Sequence, residues 1–170
     1  MANRDGKDRE GRGGKTGGGQ PEIRVLARNR RARHDYEILE TFEAGLALAG
    51  TEVKSARAGK VQLKDSHVEV RDGEAWLIGA HIGPYEAGNR WNHAPERDRK
   101  LLLHRREVDK IFGRTLGKGT TAIPLSVYLK GNWIKAEIAL AQGKKLYDKR
   151  EAAKRRILDR EAEEAIKGAR

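Results

Sequence analysis

Residues 120–141 constrain the fold of this chain more than any other stretch. Two alternating runs of similar length flank the turn Lys130-Gly131-Asn132. In the first, Ile123, Leu125, Val127 and Leu129 take every second position; in the second, Ile134, Ala136, Ile138 and Leu140 do. Successive side chains of a strand point to opposite faces, so each run carries an apolar face, and the short glycine-containing link folds the pair into an antiparallel hairpin. A lone hairpin is at best marginal in water, so the rest of the chain must supply the wall that covers it.

Upstream sequence can do so. Residues 67–71 (HVEVR) alternate, Asp72-Gly73 follows, and residues 75–82 form a second apolar run. Asp-Gly suits a two-residue turn in which both positions need positive φ, which predicts another hairpin. Residues 34–42 put Tyr36, Ile38 and Phe42 at every-second spacing and predict a strand that continues into 46–48 past a kink at Gly45. Residues 61–63 suit a short strand. Residues 51–58 (TEVKSARA) predict a helix with Thr51 capping its start and Gly59 ending it in the left-handed conformation. Residues 105–112 predict another, with Val108, Ile111 and Phe112 on one side. Residues 83–96 contain Pro84, Gly88, Asn89 and Pro95 and form a long loop, a kind that often carries function. The expectation is a mainly β fold: a closed antiparallel barrel of the oligonucleotide-binding type, with about six strands and two or three flanking helices. An α+β sandwich is the alternative.

Charge divides the 170 residues differently. The formal net charge is +11. Residues 1–33 hold ten Lys/Arg against four Asp/Glu, residues 144–170 ten against six, and the stretch between sixteen against fifteen. A nearly neutral body with two basic ends is suited to a polyanion. Three divisions follow: a disordered Gly-rich leader at 1–22, a folded RNA-binding domain at 23–143, and a basic tail at 144–170, disordered when free and helical when bound. Residues 23–33 (IRVLARNRRAR) read as a basic arm, either lining phosphates or acting as a flexible solubilising leader. The chain has no cysteine, which excludes disulfides and cysteine-bearing zinc sites. It has no apolar run of membrane-spanning length and no signal-peptide core after Met1, so a soluble cytoplasmic protein is expected.

Signatures of catalysis fail one by one. GRTLGKGT at 113–120 has the wrong glycine spacing for a phosphate loop and precedes a strand, not a helix. The five histidines, His34, His67, His81, His93 and His104, form no helical i,i+4 pair, so no metal site is expected. A nuclease using His93 or His104 with Asp98 is the enzyme alternative. Nucleic-acid binding fits better. Arg97, Arg99, Lys100, Arg105 and Arg106 fall within ten residues, and Lys54 and Arg57 share a helix face. Between Lys144 and Arg156, seven basic residues surround Tyr147, an aromatic able to stack on a base. A solvated C-terminal helix is the plainer alternative for that strip.

Several segments together point further. NRRARHDYEI at 29–38, FEAGLALAGTEVKSARAGK at 42–60, the Asp72-Gly73 hairpin, RKLLLH at 99–104 and GKKLYDKR at 143–150 resemble the small protein B family, also called SsrA-binding protein. The resemblance covers roughly residues 27–170. It implies an oligonucleotide-binding-like barrel, no enzymatic activity, no cofactor, and two partners: the tRNA-like domain of transfer-messenger RNA, and the stalled ribosome with its small-subunit RNA. On the resemblance, Asn29, Arg33, His34, Glu43, Lys54, Arg57, Arg99, Lys100, Leu102 and His104 face the transfer-messenger RNA. Lys144, Lys145, Tyr147, Asp148, Lys149 and Arg150 match the decoding-centre segment, and Lys154, Arg155, Arg156, Arg160 and Ile166 would lie further down the mRNA channel. This chain departs from the pattern at Ala56, where a larger aliphatic is usual, and in the acidic cluster at 161–164. A structural ribosomal or translation-factor RNA-binding protein is the alternative function.

Overall fold

A computed structural model describes residues 19–169. The expected disordered leader lies largely outside them. In chain order the elements begin with β1 (Ile23–Arg28), α1 (Ala32–Asp35), β2 (Tyr36–Leu46), α2 (Gly50–Arg57), β3 (Val61–Gln62), β4 (His67–Arg71), β5 (Glu74–Ile78) and β6 (His81–Ile82). A 3-10 turn spans Glu86–Trp91. Then come β7 (Arg99–Leu102), α3 (Arg105–Thr115), β8 (Thr120–Lys130), β9 (Trp133–Gly143) and α4 (Leu146–Gly168). None of the described helices is long and apolar enough to cross a membrane.

The fold is mainly β, with one large antiparallel sheet and several helices. Hydrogen-bonded pairing runs from β8 to β4, β5, β7, β2 and β9, and β9 pairs with β8 again; β1 adds to β8, and β3 and β6 form a separate ladder. Among the described residues nine strands stand where about six were expected. β1 went unread because Ile23–Arg28 mixes arginine with apolar residues; it is a strand because β8 offers it backbone partners from Ile23↔Lys130 to Arg28↔Ser126. The run at 75–82 splits at Gly79, whose φ of +77° no strand continues through.

The β8–β9 hairpin forms as its alternation predicts, but β8 does not keep one face. Its pairing with β9 shifts register between Pro124 and Ser126. Ile123 and Leu125 therefore pack with Ala32, Ala139 and Ala141 in one cluster, while Val127 joins Phe42, Ala44, Leu77, Leu101, Ile111 and Ile138 in the main core. A bulge reverses the facing of everything beyond it, and Pro124 suits one because it has no N–H for the ladder. β2 does the same: Ile38 and Tyr36 lie against the smaller cluster and Phe42 in the main core, with a shift between Ile38 and Glu40.

Local chemistry bears out other turns. Asp72 and Gly73 take φ of 51° and 76°, and Gly59 closes α2 at φ +79°. Thr51 is not the cap of α2. The Ala49 N–H donates to Glu52 Oε2 at 2.8 Å, while the Thr51 hydroxyl pairs with His93 Nδ1 at 2.9 Å. That contact ties α2 to the long loop, where Asn92 exchanges two hydrogen bonds with the Tyr85 backbone.

Candidate nucleic-acid interface

On the outer surface of β8, β9, β2 and β7, alternation decides which side chains meet solvent. With Val127, Ile134, Ala136, Phe42, Ala44 and Leu101 inward, the outward positions are Tyr128, Lys130, Trp133, Lys135, Glu43, Gly45, Lys100 and Leu102. The register brings them together. Gly45 lies opposite Lys135 on one side and Leu102 on the other; Tyr128 faces Lys135 and Lys130 faces Trp133.

Glu43 organises the polar half of this face. Its carboxylate accepts from the Tyr128 hydroxyl and from Lys130 Nζ at 3.2 Å, with Lys135 Nζ at 3.9 Å. The Tyr128 hydrogen bond above all, then Lys130 and Lys135, holds the Glu43 carboxyl below its ordinary value. Burial and the neighbouring carboxylate push the Tyr128 phenol up, so it stays a donor. A group with a depressed folded pKa contributes stability fully present above its unfolded value and lost as pH falls through the folded one. Urea unfolding free energies of wild type and Glu43→Gln should therefore differ slightly near neutrality, by less than about 1 kcal/mol for a partly exposed pair, and converge as pH falls through the depressed carboxyl value. A gap that persists in acid would remove the ionic role given to Glu43.

The apolar half surrounds Gly45. A Cβ there would stand 3.2 Å from Leu102 Cβ, so glycine is what lets the Leu102 side chain pack close across β2. Both residues line an open groove of about 550 Å³, with Leu48, Val53, Trp133 and Lys135. Leu102 is 55 % and Trp133 74 % exposed. A second groove of about 620 Å³ lies on the other side of Tyr128 and is lined by Arg28, Asn29, Arg33, Glu137 and, from α4, Arg156. Asn29 Nδ2 donates to the Pro124 carbonyl at 3.1 Å and its N–H to Leu125, so it braces the β8 bulge.

The base of α4 is fastened to α1. Lys144 donates from its backbone to the Asp35 carbonyl at 2.9 Å and from Nζ to the Arg33 carbonyl at 3.1 Å, and Lys149 Nζ lies 3.4 Å from Asp35. His34 Nδ1 pairs with the same Asp35 carboxyl at 2.9 Å; that hydrogen bond, with Lys149 behind it, outweighs burial and lowers the Asp35 pKa.

The sequence profile of the SmpB protein family matches residues 26–168. The chain belongs to the SmpB family. It is 55% identical over 144 residues to the SsrA-binding protein of Carboxydothermus hydrogenoformans, covering 85% of this chain and 97% of that protein. It is 57% identical over 145 residues to the SsrA-binding protein of Trichormus variabilis, covering 85% and 94%. A solved chain described under "tmRNA-SmpB: a journey to the center of the bacterial ribosome" is 51% identical, with a TM-score of 0.61 over 71% of this chain and 85% of that one.

Within this SmpB fold the expected RNA-facing residues separate into groups. Glu43 and Leu102 share the outer face, and Asn29 and Arg33 line the adjoining groove. Lys100 is outward on β7 but paired with Glu74 at 2.8 Å. Lys54 lies over the Tyr85 ring, 5.1 Å from its centroid, one residue beyond groove-lining Val53; Arg57 closes α2 and accepts from Arg24 through its carbonyl. His104 starts α3, its N–H held by Glu107 at 2.9 Å. Arg99 must be corrected. It is fully buried, and its guanidinium donates to Glu52 at 2.8 Å, the Ala80 carbonyl at 2.6 Å and the Pro95 carbonyl at 2.9 Å, which leaves it no approach to a phosphate. Strand alternation explains this: Arg99 and Leu101 point inward, Lys100 and Leu102 outward.

Of the tail residues, Lys145, Asp148, Arg150, Lys154, Arg155, Arg156, Arg160 and Ile166 are exposed. Tyr147 falls in the first turn of α4, and the stacking expected of its ring lies outside the described side chains. Sequence reading missed Tyr128, Lys130, Trp133 and Lys135. The signal was available, since all four occupy polar-phase positions of the hairpin, where tryptophan and tyrosine are unneeded for the core.

Proposed function

We propose that this chain is an RNA-binding adaptor of trans-translation. It binds the tRNA-like domain of transfer-messenger RNA through the outer face and the adjoining groove, and delivers that RNA to ribosomes stalled without a usable codon. The observation that carries the reading is the convergence of expected RNA contacts distant in sequence in an SmpB-family chain: Asn29 and Arg33 line one groove, Leu102 the other, and Glu43 lies between them, bound to Tyr128 of the first and close to Lys135 of the second. Lysines and arginines suit phosphates, and exposed Leu102 suits an unstacked base of the kind RNA loops present. Lys54, Arg57, Lys100, His34 and His104 extend the same contact in this reading.

The unbroken circuit of strand pairing supports taking the body as a closed, oligonucleotide-binding-like barrel, a rigid surrogate for part of a tRNA. The tail acts separately. Lys144 to Arg150 enters the decoding site, with Tyr147 placed to stack on a ribosomal base, and Lys154, Arg155, Arg156, Arg160 and Ile166 follow the empty mRNA path. The tail is disordered in the free protein and helical there. Binding and positioning are the whole task, with no catalytic step and no cofactor, and a ribosomal partner sets it in the cytoplasm.

The test is a purified translation system stalled on a message without a stop codon and supplied with transfer-messenger RNA. Tagging of the stalled peptide should require this protein, and its RNA affinity should fall steeply with salt, as phosphate contacts demand. Tagging that proceeds equally without it, or RNA cleavage by the protein alone, would refute the adaptor reading.

A further inference from the structure

We propose that Asp35 seeds the tail helix: it is a positioning residue that fixes the first turn of α4 on the body, so that the tail sets out in one direction when its partner orders the rest. The inference rests on the adaptor reading and adds a residue to the tail's share of it. α4 starts badly by itself. Its cap position is Lys145, in extended backbone, and an ammonium has no lone pair to accept a helix N–H; no side chain caps this end. Lys144, Lys145, Lys149 and Arg150 crowd the positive end of the helix dipole, against one acid in the first turn, Asp148. That first turn is also the costly step in making a helix.

The body compensates at one residue. Tyr36 pairs with Gly143, so the β2–β9 ladder ends with Asp35 beside Lys144. Asp35 then acts through two groups. Its carbonyl accepts the Lys144 N–H at 2.9 Å, and its carboxylate lies 3.4 Å from Lys149 Nζ. The Lys149 N–H donates to the Lys145 carbonyl at 3.1 Å and closes the turn between these two ties. Lys149, Ala152 and Ala153 are half-buried and, at three- and four-residue spacing, share one face of α4. Every residue from Lys154 to Ala169 is exposed. The seat therefore ends within two turns, and beyond it the helix depends on a partner. Asp35 reaches no partner itself; it acts through Lys144 and Lys149.

Full-length wild type, Asp35→Asn and Asp35→Glu should be compared in three measurements: amide exchange in the free protein, affinity for the tRNA-like domain transcript, and tagging rate. Asn keeps the backbone carbonyl and loses the charge. An anion at a helix start and a partly exposed ion pair each contribute up to about fivefold in an equilibrium, so Asp35→Asn should slow tagging about fivefold to twentyfold. The Lys149 and Arg150 amides should exchange several-fold faster, β9 amides should not change, and transcript affinity should stay within about twofold. Asp35→Glu, which keeps the carboxylate, should restore tagging to within about threefold. Unchanged exchange at Lys149 and Arg150, or unchanged tagging, overturns the seed. Faster exchange throughout β9 overturns it as well, because the role would be in general stability. So does weakened transcript binding, since Asp35 would then act through His34, whose Nδ1 shares its carboxylate at 2.9 Å. Equal losses in Asn and Glu would tie the effect to shape and not to charge, and would end the proposal. A wild type that supports no tagging brings down the adaptor reading, and amide exchange still decides whether Asp35 seeds the helix.

Discussion

Glu52→Ala is expected to destabilise the protein by about 3–5 kcal/mol, the cost of leaving a buried charge without its partner. Glu52 has no exposed surface. It receives Arg97 through Nε at 2.7 Å and a second, shorter contact, Arg99 through Nε at 2.8 Å, and the Ala49 N–H at 2.8 Å. Burial alone would push this carboxyl up; hydrogen bonds from Arg97, Ala49 and Arg99 together more than offset it and hold the carboxyl below its ordinary value. Burial pulls the Arg99 guanidinium down, only partly offset by Glu52, whereas Glu52 raises the pKa of the more exposed Arg97. With Glu52 gone, Arg99 would remain buried on two carbonyls alone. A domain of this size is stable by about 5–15 kcal/mol in total, so the loss is about a fifth of the margin or more. Urea unfolding near neutral pH measures it, and a loss below about 1 kcal/mol would show that the cluster is not coupled as described. Since Glu52 joins α2 to β7 and to the loop before it, the same variant should also weaken RNA binding through misplaced Lys54, Arg57 and Leu102. Because its folded pKa is depressed, the Glu52 contribution is present above the unfolded carboxylate range and lost as pH falls through the folded value.

A chain ending at Gln142 should bind transfer-messenger RNA within a few-fold of the full protein yet lose tagging by at least about a hundredfold. The make-up of the two grooves proposed for RNA motivates the first half: both are built almost wholly from the body, and only Arg156 of the tail enters one of them. The second half follows from what α4 is. It is 23 residues long, and its large apolar residues Ile157, Leu158 and Ile166 are 48, 63 and 64 % exposed, so little core packing holds it. Its fixed points are Lys144 and Lys149 against α1. A helix with so little tertiary support is marginal in water, and rapid amide exchange beyond Arg150 in the free protein would agree with a tail that orders only against a partner. Equilibrium binding and peptide tagging measured on the same preparations check the division. Loss of RNA binding on truncation, or retention of tagging, would end it.

Elements whose cause is local were legible. Asp72-Gly73 and Gly59 announce positive φ because few other residues accept it, and β9 keeps strict alternation because no bulge interrupts it. α3 and the neutral body between basic ends could also be read. β1 could not, because its strand state depends on a β8 edge about a hundred residues away. Nor could the outer face, which depends on register between strands. Arg99, Lys100 and Leu102 look alike as a basic-apolar run, yet alternation against the Glu52 cluster puts Arg99 inside and its neighbours out.

The chain's own sequence determined its turns, its hairpins, its charge segregation and its family, all properties carried by contiguous residues. Tertiary structure decided which side of each strand faces the core and which faces solvent. The bulges at Pro124 and beyond Ile38 reverse the facing of the residues that follow, and Gly45 must be glycine only because Leu102 arrives beside it and packs against its backbone. Periodicity is local, but a face is made by neighbours, and the strands that make this one are far apart in the chain.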